Sequence, residues 1–153
     1  MKRTSNVEHR TSNAELTEIA LLLRELPTSD YGGPRRKYDL EGRLLDFAVQ
    51  IVELTEALPN PRAANHITGQ LLRSGTSPYG NHGELESAES RKDFVHKLKI
   101  CLKELRETRR WLRLLVRLKK IKSPPTLTDC LNEAEQVVKI FVVSVRTAER
   151  NGS

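Results

Sequence analysis

The apolar positions of this chain recur every three or four residues almost throughout, which is the spacing of helices with one buried face. Ser12-Asn13-Ala14-Glu15 has the Ser-x-x-Glu spacing of a capping box. Behind it Leu16, Ile19, Ala20, Leu23 and Leu26 form one short stripe, stopped by Pro27. A helix over 14–26 is too short to be stable alone and must dock: on its own bundle, on a neighbouring copy, or on a partner. The segment PTSDYGGPRRKY, residues 27–38, has the Pro and Gly content of a linker. Residues 1–13 are polar and have the composition of an unstructured tail. The chain thus divides into an N-terminal arm, 1–37, and a main domain, 38–151.

Four helical segments make up the main domain. The first is expected from about Asp39 to Leu58, with Leu44, Ala48 and Ile51 in one stripe and Leu45, Val49 and Val52 in a second beside it. So broad an apolar face predicts a core position for both stripes. The second is expected from about Arg62 to Ser77, with Ala64, Ile67, Leu71 and Leu72 inward. Pro78 is expected to kink or break it, and residues 80–90 to form a connector or a frayed continuation. In the third, Ser90 is the N-cap and Asp93 the third helical position. Phe94, Leu98, Cys101, Leu105, Thr108, Leu112 and Leu115 then alternate spacings of four and three, a bundle seam that should run to about Lys122. The fourth runs from Thr126 or Thr128 to about Arg150, with Leu127, Leu131, Ala134, Val138, Phe141, Val145 and Ala148 inward. Short connections between long helices predict antiparallel neighbours. The fold class is all-α, an antiparallel up-down four-helix bundle with a short N-terminal helical arm.

Charge changes this picture from fold to surface. The 153 residues carry 26 Lys and Arg against 20 Asp and Glu, a formal +6. From Arg91 to Lys122 there are 13 basic and 3 acidic residues, a net +10, so the rest of the chain sums to −4. On a helical wheel Lys92, Lys99, Lys103, Arg106, Arg110, Arg113 and Arg117 fall between about 100° and 180° from the core stripe. A neutral solvated face would intersperse acids at i,i+4. A face of one sign repels itself unless a polyanion or an acidic subunit neutralises it. Lys99, Lys103, Arg106, Arg110, Arg113 and Arg117 are therefore the candidate contacts to RNA or DNA phosphates. An acidic protein partner is the competing reading. With aromatics at 5%, base stacking is not indicated.

A third stripe on the same helix, Ile100, Trp111, Leu114 and Leu118, lies on the flank opposite the basic face. It has no evident partner within one bundle and predicts a subunit interface. Candidates for chemistry are weak. No pair among His9, His66, His82 and His96 has metal-ligand spacing, and His82 with Glu84 and Glu86 reads better as a solvated connector. Cys101 sits in the core stripe. Cys130 lies near a helix N-terminus, where a thiol pKa can fall, but has no matching base. Residues 75–83 hold three glycines without phosphate-loop spacing. Glu104 and Glu107 are flanked by Lys103, Arg106, Arg109 and Arg110, so salt bridging explains them better than catalysis. No enzyme, cofactor or metal is expected. Two cysteines and no apolar run behind MKRTSNVEHR predict a reduced, cytoplasmic chain. No segment reaches the ~18–20 apolar residues of a membrane span.

KLKICLKELRETRRWLRLL, residues 97–115, resembles the signature helix of the bacterial four-helix bundle family named after the 23S rRNA intervening-sequence protein, also called S23-like. Upstream, Gln70, Leu71, Arg73, Ser74, Ser77, Pro78, Asn81, Glu84, Ser90 and Phe94 match its pattern, as does SVRTAERN, residues 144–151. Where the family often has Ile-Ala-Glu-Gly, this chain has His82-Gly83-Glu84-Leu85. The resemblance covers about 38–151 and leaves out the arm. It implies an up-down bundle assembling as a homopentamer, no known enzymatic activity, and an association with RNA. A related bundle, the accessory variability protein of diversity-generating retroelements, is a basic pentamer that binds nucleic acid and partners a reverse transcriptase. That role is the alternative implied here.

Overall fold

The computed structural model describes residues 40–150; the expected arm helix at 14–26 and its linker lie outside the described residues. Four helices follow in order: α1 (Leu40–Ala57), α2 (Arg62–Gly83), α3 (Arg91–Arg117) and α4 (Thr126–Arg150). Each packs against the next, and α1 closes the square against α4. The architecture is the all-α four-helix bundle that the periodicity predicts.

Each helix exists because its buried stripe cannot stay in water. The α3 seam is buried throughout: Phe94, Leu98, Cys101, Leu105, Thr108, Leu112 and Leu115. Fully burying each large apolar side chain contributes about 1.5–3 kcal/mol. Ser90 caps α3 by accepting the amide of Asp93 at 3.1 Å, and the Asp93 carboxylate accepts the amide of Glu89 at 3.1 Å. The first bond satisfies a donor that the first helical turn leaves orphaned, and the second ties the residue before the cap to that turn. Polar contacts also sit inside the bundle. The Thr108 hydroxyl, itself buried, lies 3.1 Å from the Ser74 hydroxyl and so ties α3 to α2.

The structure departs from three expectations. Pro78 does not end α2, which continues to Gly83. A helix interior tolerates the φ of proline, and the ring is buried, so packing offsets the lost amide hydrogen bond. The hydroxyls of Thr76 and Ser77 donate to the carbonyls of Leu72 and Arg73 beside it. Secondly, α3 stops at Arg117 rather than near Lys122. Leu118 leaves helical geometry at φ −83°, ψ 83°, and the Leu118 and Ile121 side chains turn back onto the core. Lys119, Lys120 and Lys122 therefore belong to the connector. Thirdly, Leu72 of α2, expected inward, is 38% exposed, and the stripe Leu45, Val49 and Val52 is not in the core. Its members are 40–46% exposed, while Phe47 and Leu54 are buried with Leu44 and Ile51.

Two core features carry direct tests. At Gly75 a Cβ would lie 2.7 Å from Ile51 Cγ2 and 2.9 Å from Cγ1, so the glycine lets α1 and α2 approach closely. Gly80 has nothing within 4 Å of the same position. Overpacking costs about 1–3 kcal/mol, against a helix-propensity gain of about 1 kcal/mol. Gly75→Ala should therefore lower stability in urea unfolding, and Gly80→Ala should raise it by about 0.5–1 kcal/mol. Equal effects at the two sites would refute the close approach. Cys101 and Cys130 are both buried, and burial pushes their thiols up, to about 12 and about 11. The helix N-terminus does not lower Cys130, because desolvation outweighs it and Asp129 and Glu53 add to the rise. Neither thiol should react with iodoacetamide at about pH 8 until the chain unfolds. A raised folded-state value stabilises fully below the unfolded thiol pKa of about 8.5–9 and is lost as pH rises through 11. The thermal midpoint should fall across that alkaline window, and less steeply in a Cys101→Ala, Cys130→Ala chain.

Candidate nucleic-acid interface

Two ion pairs set α4 beside the basic flank of α3. Lys99 lies 2.5 Å from Glu149, and Arg113 lies 3.0 Å from Glu135. The side chains involved are between about a third and a half exposed, so each pair contributes ~1 kcal/mol at most. Their value is geometric, because they mark the register of the two antiparallel helices. Arg106 and Arg110 lie between the pairs on α3, as does Lys103; all three are exposed. Lys139 and Arg146 lie between them on α4 and are exposed too. A step of 100° per residue puts both about 100–120° from the α4 core stripe, on the flank that carries Glu135 and Glu149. The result is a two-helix groove with five exposed cations between the bridges, about 21 Å long from Lys99 to Arg113. Arg117 extends it by one turn, and Lys92 extends it at the other end. There Lys92, Val95, His96, Lys99, Ala148 and Glu149 line a shallow hollow.

The six cations expected to bind phosphate thus differ in state. Lys103, Arg106, Arg110 and Arg117 make no ion pair among the described residues, while Lys99 and Arg113 are already paired. Arg109 is half-buried at the groove edge, and its Nε has no hydrogen-bond partner among the described residues. Lys139 and Arg146 escaped the sequence reading because they lie on a second helix whose overall charge is unremarkable. Their wheel positions on the flank shared with α3 were the signal that could have found them.

The opposite flank of α3 is built differently. Arg73 of α2 bridges Glu104 at 3.1 Å and also bonds Glu107, which in turn accepts the Trp111 indole N–H at 3.4 Å. Arg73, first of all by that hydrogen bond, holds the Glu107 carboxyl below the usual carboxylate range. The same contact raises the guanidinium of Arg73. Trp111 meets His66 of α2 edge to face, with ring centroids 6.0 Å apart. The Trp111 stripe was expected to have no intrachain partner. It has one: Trp111 and Leu118 are half-buried against the core, Ile100 is half-buried, and Leu114 alone of the four is well exposed, at 39%. The stripe sits beside α2, and α2 covers most of it.

Other candidates do not come together. His82, expected in a solvated connector, is instead buried in α2, while Glu84 and Glu86 are exposed. Among the described residues no three His, Cys, Asp or Glu side chains are placed to hold a metal ion. No helix among them is long and apolar enough to cross a membrane.

The fold has relatives. No functionally curated protein matches the chain. One similar solved structure is a protein of unknown function from the S23 ribosomal protein family of Bacteroides thetaiotaomicron. It shares 36% identity over 70% of this chain and 98% of its own, with a TM-score of 0.63. Residues 37–142 match the family model described as 23S rRNA-intervening sequence protein. That match takes in α1, α2, α3 and most of α4, and so most of the basic groove, and the chain belongs to the 23S rRNA-intervening sequence protein family.

Proposed function

We propose that this protein is a non-enzymatic binder of RNA or DNA phosphates, and that the α3–α4 groove is its contact surface. The observation that carries the reading is the unpaired, one-signed set Lys103, Arg106, Arg110, Lys139 and Arg146, held between two bridges on rigid helices. Five like charges this close raise the energy of the free protein, and a polyanion removes that cost while releasing its own counterions. The groove has no aromatic side chain, so contacts go to the backbone of the nucleic acid rather than to its bases. Self-association, which the family resemblance implies, would place several grooves on one particle and make binding multivalent. An acidic protein is the competing ligand of this surface, and an accessory role beside a reverse transcriptase is a separate alternative.

An electrophoretic shift with generic RNA and duplex DNA across a salt series tests this. Arg106→Glu, Arg110→Glu and Lys139→Glu together should weaken binding more than tenfold at about 50 mM salt. They should also flatten the salt dependence by roughly 0.7–0.9 in log–log slope per lost phosphate contact. Glu135→Gln with Glu149→Gln should strengthen binding, because Arg113 and Lys99 are then released to phosphate. Affinity that ignores all five substitutions would overturn the proposal. Binding that is absent at low salt would leave the acidic protein partner as the better reading.

A further inference from the structure

The face on the far side of the bundle from the basic groove is apolar and is exposed among the described residues. Of eight large hydrophobic residues exposed among the described residues, five lie on α1 and α2: Leu45 at 42%, Val49 at 46%, Val52 at 40%, Leu72 at 38% and Tyr79 at 37%. They share one outer surface. On α1, Arg43 and the carbonyl of Gln50 face α4, through Glu133 and Cys130. Leu45, Val49 and Val52 occupy the other flank, towards α2. On α2, Arg73 and Ser74 face α3, so Leu72 and Tyr79 occupy the flank towards α1. The Ile51–Gly75 approach fixes the antiparallel register. It sets Val52 near the level of Leu72, and Leu45 near that of Tyr79. Thr76, between them, spends its hydroxyl on the Leu72 carbonyl. Five exposed apolar side chains gathered on one surface mark a candidate docking site.

We propose that the occupant is the chain's own N-terminal segment, residues 14–26, folded back as an amphipathic helix over the α1–α2 face. Its apolar positions, Leu16, Ile19, Ala20, Leu23 and Leu26, make one stripe. A 13-residue helix is about 20 Å long, and Leu45 to Val52 spans about 10 Å along α1. The helix therefore covers the patch with a turn to spare. Residues 27–38 join the segment to Leu40, which begins α1 at the Leu45 end of the face. Twelve residues reach up to about 40 Å when extended, and Val52 is only about 18 Å along the axis from Leu40. So short a tether holds the segment at an effective concentration of the order of millimolar. A second copy of the chain has no such advantage at micromolar concentration. The matched family region begins at residue 37, so the segment lies outside that match. This docking stands independently of phosphate binding by the opposite face.

Amide hydrogen exchange on the full-length chain tests it. Residues 16–26 should exchange about tenfold or more slowly than the same stretch of a chain carrying Val49→Glu. Val49 is exposed, and glutamate favours helix, so circular dichroism should show the bundle intact. Ile19→Asp should reciprocally speed exchange in the arm and leave α3 unchanged. Ile19→Cys with Val49→Cys, oxidised at low micromolar protein, should form an intramolecular disulfide that leaves the chain monomeric on a non-reducing gel. Fast exchange at 16–26 in the unaltered chain overturns the proposal, as does protection that survives Val49→Glu. Disulfide-linked dimers in place of the monomeric product, or protection that vanishes on dilution, would instead assign the face to a second copy.

Discussion

Everything in this bundle hangs on α3 having neighbours on both flanks of a single buried seam. Phe94, Leu98, Cys101, Leu105, Thr108, Leu112 and Leu115 are removed from water only if α2 and α4 both lean on the same 27-residue helix. That requirement decides what each flank can carry. The α2 flank is closed by the Ser74–Thr108 hydroxyls, by Arg73 with Glu104 and Glu107, and by Trp111 against His66. The α4 flank is closed by apolar packing beneath two exposed bridges, which leaves its outer rim free for charge. The asymmetry of the surface follows from the asymmetry of the packing.

The same logic separates the two broad faces of the molecule. Where α3 meets α4 the rim is cationic. Where α1 meets α2 it is aliphatic, with one tyrosine. A polyanion gains nothing from the second surface, and an apolar helix gains little from the first. Two ligands of different chemistry can thus occupy opposite sides of one small bundle without competing for side chains. Each surface is shared by two helices, so each exists only in the folded state.

Sequence pattern alone placed the α3 seam, the Ser90 cap and the end of α4 near Arg150, because periodicity and capping are local properties of the chain. It was less informative where an outcome depends on a neighbour. A helix of alternating apolar stripes does not say which stripe is inward; Leu45, Val49 and Val52 look as good as Leu44, Ala48 and Ile51. Packing decides, and the glycine at 75 lets α2 come close against Ile51. The proline at 78 reads locally as a break, whereas its burial in the bundle keeps α2 whole. The basic groove was legible as a stripe on α3. Its second wall, Lys139 and Arg146, depends on which flank of α4 meets α3, and no single-helix pattern contains that.

Pro78 has one more consequence. Lacking an amide, it leaves α2 with a missing rung four residues after Ser74, so the last turns, down to Gly83, are joined to the rest by fewer main-chain bonds. That end of α2 is where unravelling should begin, at a free energy below that of global unfolding. Tyr79 sits on it, at the edge of the aliphatic face. Whatever rests on Tyr79 therefore acts as a splint for a weak joint. Occupancy of that face would be reported, through the mechanical coupling of one helix end, as a change in how often α2 frays just before the buried Leu85 and Ala88.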